Sequence, residues 1–77
     1  MGEVVQVLER KFGLFPARFK FNRNGSVITI DAVERCWTNM QNQQGRVSHQ
    51  FRVRSGSNRY RLNEDTASGR WTAWPES

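Results

Sequence analysis

A chain of 77 residues makes one small domain, residues 1–77, because a polypeptide this short buries only about 60% of its unfolded surface and has nothing left for a second core. Hydrophobic residues are 36% of the chain and aromatics 12%, so its apolar content sits in large and β-branched side chains, which argues against disorder. Twelve Lys and Arg, ten of them Arg, face seven Asp and Glu for a formal charge of +5, a balance that directs attention to anionic partners.

No apolar run approaches the ~20 residues needed to cross a bilayer. The stretch Met1-Gly2-Glu3-Val4 has neither the basic start nor the apolar core of a signal peptide, so a cytoplasmic protein with no membrane partner is expected. The single Cys36 allows no internal disulfide. With one His49 there is no thiol and imidazole cluster for a structural metal. A chain of this size without staples folds on packing alone or gains stability by association, which keeps a homodimer open.

Val4, Val5, Val7 and Leu8 start the chain as a strand or a short helix, and a strand is preferred. From Pro16 the pattern sharpens: Ala17, Phe19 and Phe21 alternate with Arg18, Lys20 and Asn22, the period of a strand with one dry and one wet face. Asn24-Gly25 supplies residues for a type I′ turn and Val27 to Ile30 is β-branched, so residues 17–30 read as a hairpin.

Residues 31–44 support two readings. Val33, Cys36, Trp37 and Met40 share a helical face, with Asp31 and Glu34 spaced as a capping box. Equally, Ile28 and Ile30 continue through a bulge near Asp31 into a long bent strand.

Strict alternation returns from Arg46 to Arg54, with Val47, His49, Phe51 and Val53 on one face. Folding at Ser55-Gly56-Ser57-Asn58 sets Val53 beside Tyr60 and Phe51 beside Leu62. A polar loop at Glu64–Gly69 precedes a short last strand, Trp71 to Trp74, with Trp71 opposite or near Leu62. The expected architecture is mainly β, a small antiparallel meander or barrel of five to six strands, with a short helix around residues 32–42 as the open alternative. Its core contains Phe19, Phe21, Ile28, Ile30, Trp37, Phe51, Val53, Tyr60, Leu62 and Trp71.

Acid and base chemistry needs positioned pairs, and none is visible. His49 lies between Val47 and Phe51 on an apolar face and reads as a packed histidine. Cys36 beside Trp37 reads as a small core residue. Gly25, Gly45, Gly56 and Gly69 stand singly at turns, so no phosphate loop or cofactor fingerprint is present. The protein is expected not to be an enzyme and to use no cofactor.

The feature above background is a set of arginines. If Val53 pairs with Tyr60, Arg54 stands across from Arg59 and Arg52 across from Arg61 on the wet face. Like charges directly opposite one another destabilise a sheet, a cost that a bound anion relieves. Arg46 shares that face of its strand, and Arg18 and Lys20 form the wet face of the first hairpin; a curled sheet would merge them into one basic surface. Trp74 points outward near Arg59 in this register and offers a stacking surface for a base.

The series Pro16-x-x-Phe19, Gly25, Val33, Trp37, Phe51-Arg52-Val53-Arg54, Tyr60-x-Leu62, Asp65 and Ser68-Gly69-Arg70-Trp71 resembles a small uncharacterised bacterial domain family. Its members share Phe-x-Val, Tyr-x-Leu, Asp and Gly-x-Trp, and some are appended to proteins related to translesion DNA polymerases. The resemblance spans roughly residues 16–73 and rests on hydrophobic and turn positions, so it implies a fold and, by analogy, a nucleic-acid setting. The leading expectation is a non-catalytic accessory module contacting DNA or RNA through Arg52, Arg54, Arg59, Arg61, Arg46, Arg18 and Lys20, with Trp74 for stacking. The alternative is a protein-interaction or homodimerisation domain with a solvated basic face.

Overall fold

The computed structural model describes residues 2–41 and 46–76, without the side chains of Met40, Gln41 and Arg46. Seven antiparallel strands form one sheet: β1 (Glu3–Lys11), β2 (Phe15–Phe21), β3 (Val27–Thr29), β4 (Ala32–Gln41), β5 (Arg46–Ser55), β6 (Asn58–Asp65) and β7 (Arg70–Glu76). Their order is β3-β2-β1-β7-β6-β5-β4, and the sheet is not closed. Its two edge strands, β3 and β4, are consecutive in the chain. At their junction the Ile30 N–H donates to the Ala17 carbonyl and the Asp31 N–H to the Arg54 carbonyl, so two residues in sequence pair with opposite ends of the strand order.

The expected five to six strands are therefore seven, and among the described residues there is no helix. Where a helix had been the alternative, β4 runs from Ala32 to Gln41; residues 42–44 of the ambiguous segment lie outside the described residues. The two carboxylates that resembled a capping box do tertiary work instead. Asp31 Oδ2 accepts the Gly56 N–H at 2.6 Å, and Glu34 Oε1 accepts from Arg59 Nε at 2.9 Å.

The core is the inner face of the curled sheet. Val5, Phe19, Ile30, Phe51, Val53, Leu62, Trp71 and Ala73 are buried in one cluster, with Val7, Phe15, Phe21, Ile28, Val33 and Tyr60 packed against it. Curling brings β2 against β6 across the interior. The Phe19 ring meets Tyr60 edge-on at 5.7 Å between centroids, and Phe51 stacks on Trp71 at 5.7 Å. Fully burying one such ring contributes roughly 1.5–3 kcal/mol, so a few aromatics carry much of a small domain's stability.

Nine of the ten expected core residues lie in this cluster or against it. Trp37 does not, because a bulge between Val33 and Arg35 shifts the alternation by one. Cys36 then stands opposite Phe51 and Trp37 opposite Gln50. Trp37 is half-buried on the outer face, with the Arg35 guanidinium 5.9 Å over its ring. Cys36, expected in the core, is exposed.

Candidate nucleic-acid interface

The β5–β6 hairpin is the element that builds the site. Ser55 pairs with Asn58, and Gly56 at φ +59 takes the first position of the two-residue turn, as a II′ turn requires. That turn sets the register. Val53 pairs with Tyr60 and Phe51 with Leu62 on the inner face, and Arg52 pairs with Arg61 and Arg54 with Arg59 on the outer face. Both arginine pairs expected from the alternation are formed.

The sheet answers part of this like-charge crowding with carboxylates. Glu76 lies at the end of β7, opposite Arg59, and bridges diagonally to two guanidinia: Arg52 Nε donates to Oε2 at 2.9 Å and Arg61 Nε to Oε1 at 2.8 Å. Arg59 is held by Glu34 from β4. The hydrogen bond from Arg61, with the charge of Arg52 beside it, holds the Glu76 carboxyl below the usual carboxylate range despite partial burial. Every one of these contacts uses Nε. Among the described residues, the terminal amino groups of Arg52, Arg59 and Arg61 make no hydrogen bond, and Arg54 has no ion pair.

The other expected residues take separate places. Arg18 and Lys20 lie on β2, which β1 and β7 separate from β6 in the sheet, and Arg18 is engaged by Glu9 on β1. Arg46 pairs through its backbone with Gln41; its side chain lies outside the described residues. Trp74 stands opposite Arg61, not Arg59, because β7 pairs two residues further along than expected, with Ala73 rather than Trp71 opposite Leu62. Its indole is half-buried. Gly2 packs against it so closely that a Cβ there would come within 2.5 Å of the ring.

Glu76 is the residue that the sequence reading missed, and the signal for it was present. Thr72, Trp74 and Glu76 share one parity, so extending the last strand by two residues reaches Glu76. Pro75, which has no N–H to give a ladder, hides that extension. β1 accompanies β7 only as far as Ala73 among the described residues, so no described residue pairs with Pro75 on that flank, and a missing N–H is tolerated there.

The remaining titratable groups show little chemistry. His49 is half-buried, with Nδ1 3.0 Å from the Thr38 hydroxyl. Among the described residues, no three of His, Cys, Asp and Glu gather in a metal-like group, and no helix is long and apolar enough to cross a membrane. Comparisons of the chain with protein-family models, with curated proteins and with solved structures found no match.

Proposed function

We propose that this protein is a non-catalytic accessory module that binds nucleic acid, DNA or RNA, through the outer face of β5 and β6. The observation that carries the reading is the pairing of Arg52 with Arg61 and Arg54 with Arg59, with Glu76 and Glu34 steadying three of the four through Nε. Guanidinia held in this way present their terminal N–H groups outward already oriented, and planar forks of this kind suit phosphate oxygens. Contacts of this type give affinity and register without base specificity. Half-buried Trp74, opposite Arg61, would add stacking with one base on the part of its ring that Gly2 leaves exposed. The resemblance to bacterial domains appended to polymerase-related proteins points the same way by analogy, and a reducing cytoplasmic setting suits the exposed thiol of Cys36.

The test is fluorescence anisotropy of labelled single-stranded and double-stranded oligonucleotides. Arg52→Ala with Arg61→Ala is expected to abolish binding that the wild-type chain shows. Binding unchanged in the double variant would sink the assigned face.

A second reading, association with a protein, is favoured by a separate observation. Phe12 is 93% exposed at the tip of the β1–β2 hairpin, and Leu8 and Leu14 on the same hairpin are exposed as well. Apolar surface gathered on one projecting element is a feature of interaction sites.

A further inference from the structure

We propose that the open seam of the sheet, between the start of β2 and the edge of β4, receives an extended segment of a partner protein that is apolar on one face and acidic on the other. The segment adds to β4 as a strand. This rests on the association reading and is independent of the arginine face.

The seam follows from the topology. β3 covers β2 only from Arg18 to Lys20 and the Ala17 carbonyl is taken by the Ile30 N–H, so Phe15 and Pro16 have no strand on that side, and among the described residues β4 pairs with β5 alone. Between these two uncovered edges runs a groove of about 340 Å³ lined by Lys11, Phe12, Phe15, Val33, Arg35 and Cys36. A smaller recess of about 90 Å³ continues it past Pro16, Ala17 and Ile30. A sheet edge offers a row of backbone N–H and C=O groups, and the occupant that satisfies such a row along its length is another strand. Side chains of an added strand alternate, so one set turns toward Phe15 and Val33 while the other turns outward with Arg35, which is opposite Arg52 on the outer face.

Charge selects the second set. Glu34 also lines the groove, but its carboxylate is engaged by Arg59. Lys11 and Arg35 have no ion pair among the described residues. The groove therefore presents an apolar floor with two cations outside any ion pair, Lys11 near the Arg18-bound Glu9 and Arg35 beside Trp37, which acidic side chains complement and basic ones oppose.

Phe12 supplies the independent observation. It lines the groove, yet its ring is almost wholly in water and its φ is +56, a left-handed conformation that is an outlier for a bulky residue. Gly13 follows at φ +70 and the Leu14 N–H returns to the Lys11 carbonyl, which makes the turn one that favours Asn-Gly. A large apolar ring held in strain without burial has no use inside this fold. At the mouth of the groove it has one, as a cover over the apolar face of the added strand.

The probe is a fluorescein-labelled peptide of alternating valine and glutamate, made in two forms, N-methylated on every valine or on every glutamate. Each form keeps one hydrogen-bonding edge and cannot stack on itself. One form is expected to bind saturably and the other at least about tenfold more weakly, a factor that separates one blocked edge from general stickiness. A peptide with lysine in place of glutamate is expected not to bind. Phe12→Asn and Arg35→Glu are each expected to weaken the better form about tenfold, with far-ultraviolet circular dichroism unchanged and thermal stability of Phe12→Asn no lower than wild type. Absence of saturable binding by either form, equal binding by both forms, or equal binding of the lysine peptide would overturn the proposal. Self-association of the protein that Phe12→Asn abolishes, with no peptide bound, would give the groove to a second copy; it overturns the acidic partner and leaves association standing.

Discussion

Phe12 is strained and exposed at once, a cost that the fold does not recover. A non-glycine residue in the left-handed region gives up roughly 1–2 kcal/mol, and this ring recovers none of it by burial. Phe12→Asn is expected to raise stability by about 1 kcal/mol, which in a domain of this size moves Tm up by about 4–8 °C. Calorimetry checks this, and an unchanged or lower Tm would mean that the ring has a partner within the fold.

Glu76 shows the opposite case, a residue that the fold uses twice. Its folded pKa is lowered by the Arg61 hydrogen bond and the nearby Arg52, so its contribution to stability is fully present above the ordinary carboxylate pKa and is lost as pH falls through the lowered value. Glu76→Gln is expected to cost about 1 kcal/mol or less at pH 7, because the guanidinia it engages are partly solvated, and to remove that part of the acid sensitivity. Urea unfolding at pH 7 and at about pH 3 reads both effects. The same change leaves Arg52 and Arg61 facing each other with no carboxylate between them, so oligonucleotide affinity should rise. A fall in affinity would show that Glu76 orients the arginines more than it neutralises them.

At the scale of the element, what was legible in the sequence was strict alternation next to a short turn. β5 and β6 satisfy both conditions: Phe51, Val53, Tyr60 and Leu62 cannot all face inward in any neighbouring register, and the turn of Gly56 and Ser57 sets the phase. The first hairpin was legible in its pairing but not in its turn. Asn24 has no positive φ; Asn22 to Gly25 form a longer loop, in which the Gly25 N–H donates to the Phe21 carbonyl. The same device closes β6 to β7, where the Gly69 N–H donates to Asp65. The positive-φ pair lies instead at Phe12-Gly13, where the phenylalanine disguised it.

β4 was the hardest element to read. Its bulge adds one residue, and that converts alternation into a spacing that also fits a helix. Trp37 and Cys36 were misplaced for the same reason, and the groove beside β4 left no signal in the sequence pattern. The site on the outer face was half legible, since opposite arginines follow from register alone whereas Glu34 and Glu76 arrive from strands distant in sequence. The dependence of the whole sheet on one inner row makes a direct test. Phe51, fully buried between Phe15 and Trp71, is expected to cost about 3–5 kcal/mol when changed to Ala, enough to unfold a domain of this size. Persistence of a cooperative transition near the wild-type Tm would mean that the core does not depend on that ring.

For the molecule as a whole, the distribution of charge matters more than its sum. Glu3, Glu9, Glu34, Glu64 and Glu76 are in ion pairs with arginines, and Asp31 and Asp65 accept backbone N–H groups, so all seven carboxylates are engaged within the fold. None remains to balance Lys11, Lys20, Arg35, Arg54 or Arg70, which have no ion pair among the described residues. The formal +5 is thus presented outward, where an anionic partner would meet cations that no carboxylate of the fold engages. The two faces differ in how strongly they should respond to salt. If all four arginines of β5 and β6 meet phosphates, binding to a single strand should follow log salt with a slope of about −3, a loss of roughly fiftyfold between 50 and 200 mM. A peptide strand seated in the groove gains from backbone pairing and apolar contact as well as two charges, so its affinity should change only a few-fold over that range. Titrating both ligands at both salt concentrations separates the faces. Oligonucleotide binding that is insensitive to salt would remove the phosphate contacts, and with them the role assigned to the arginine pairs.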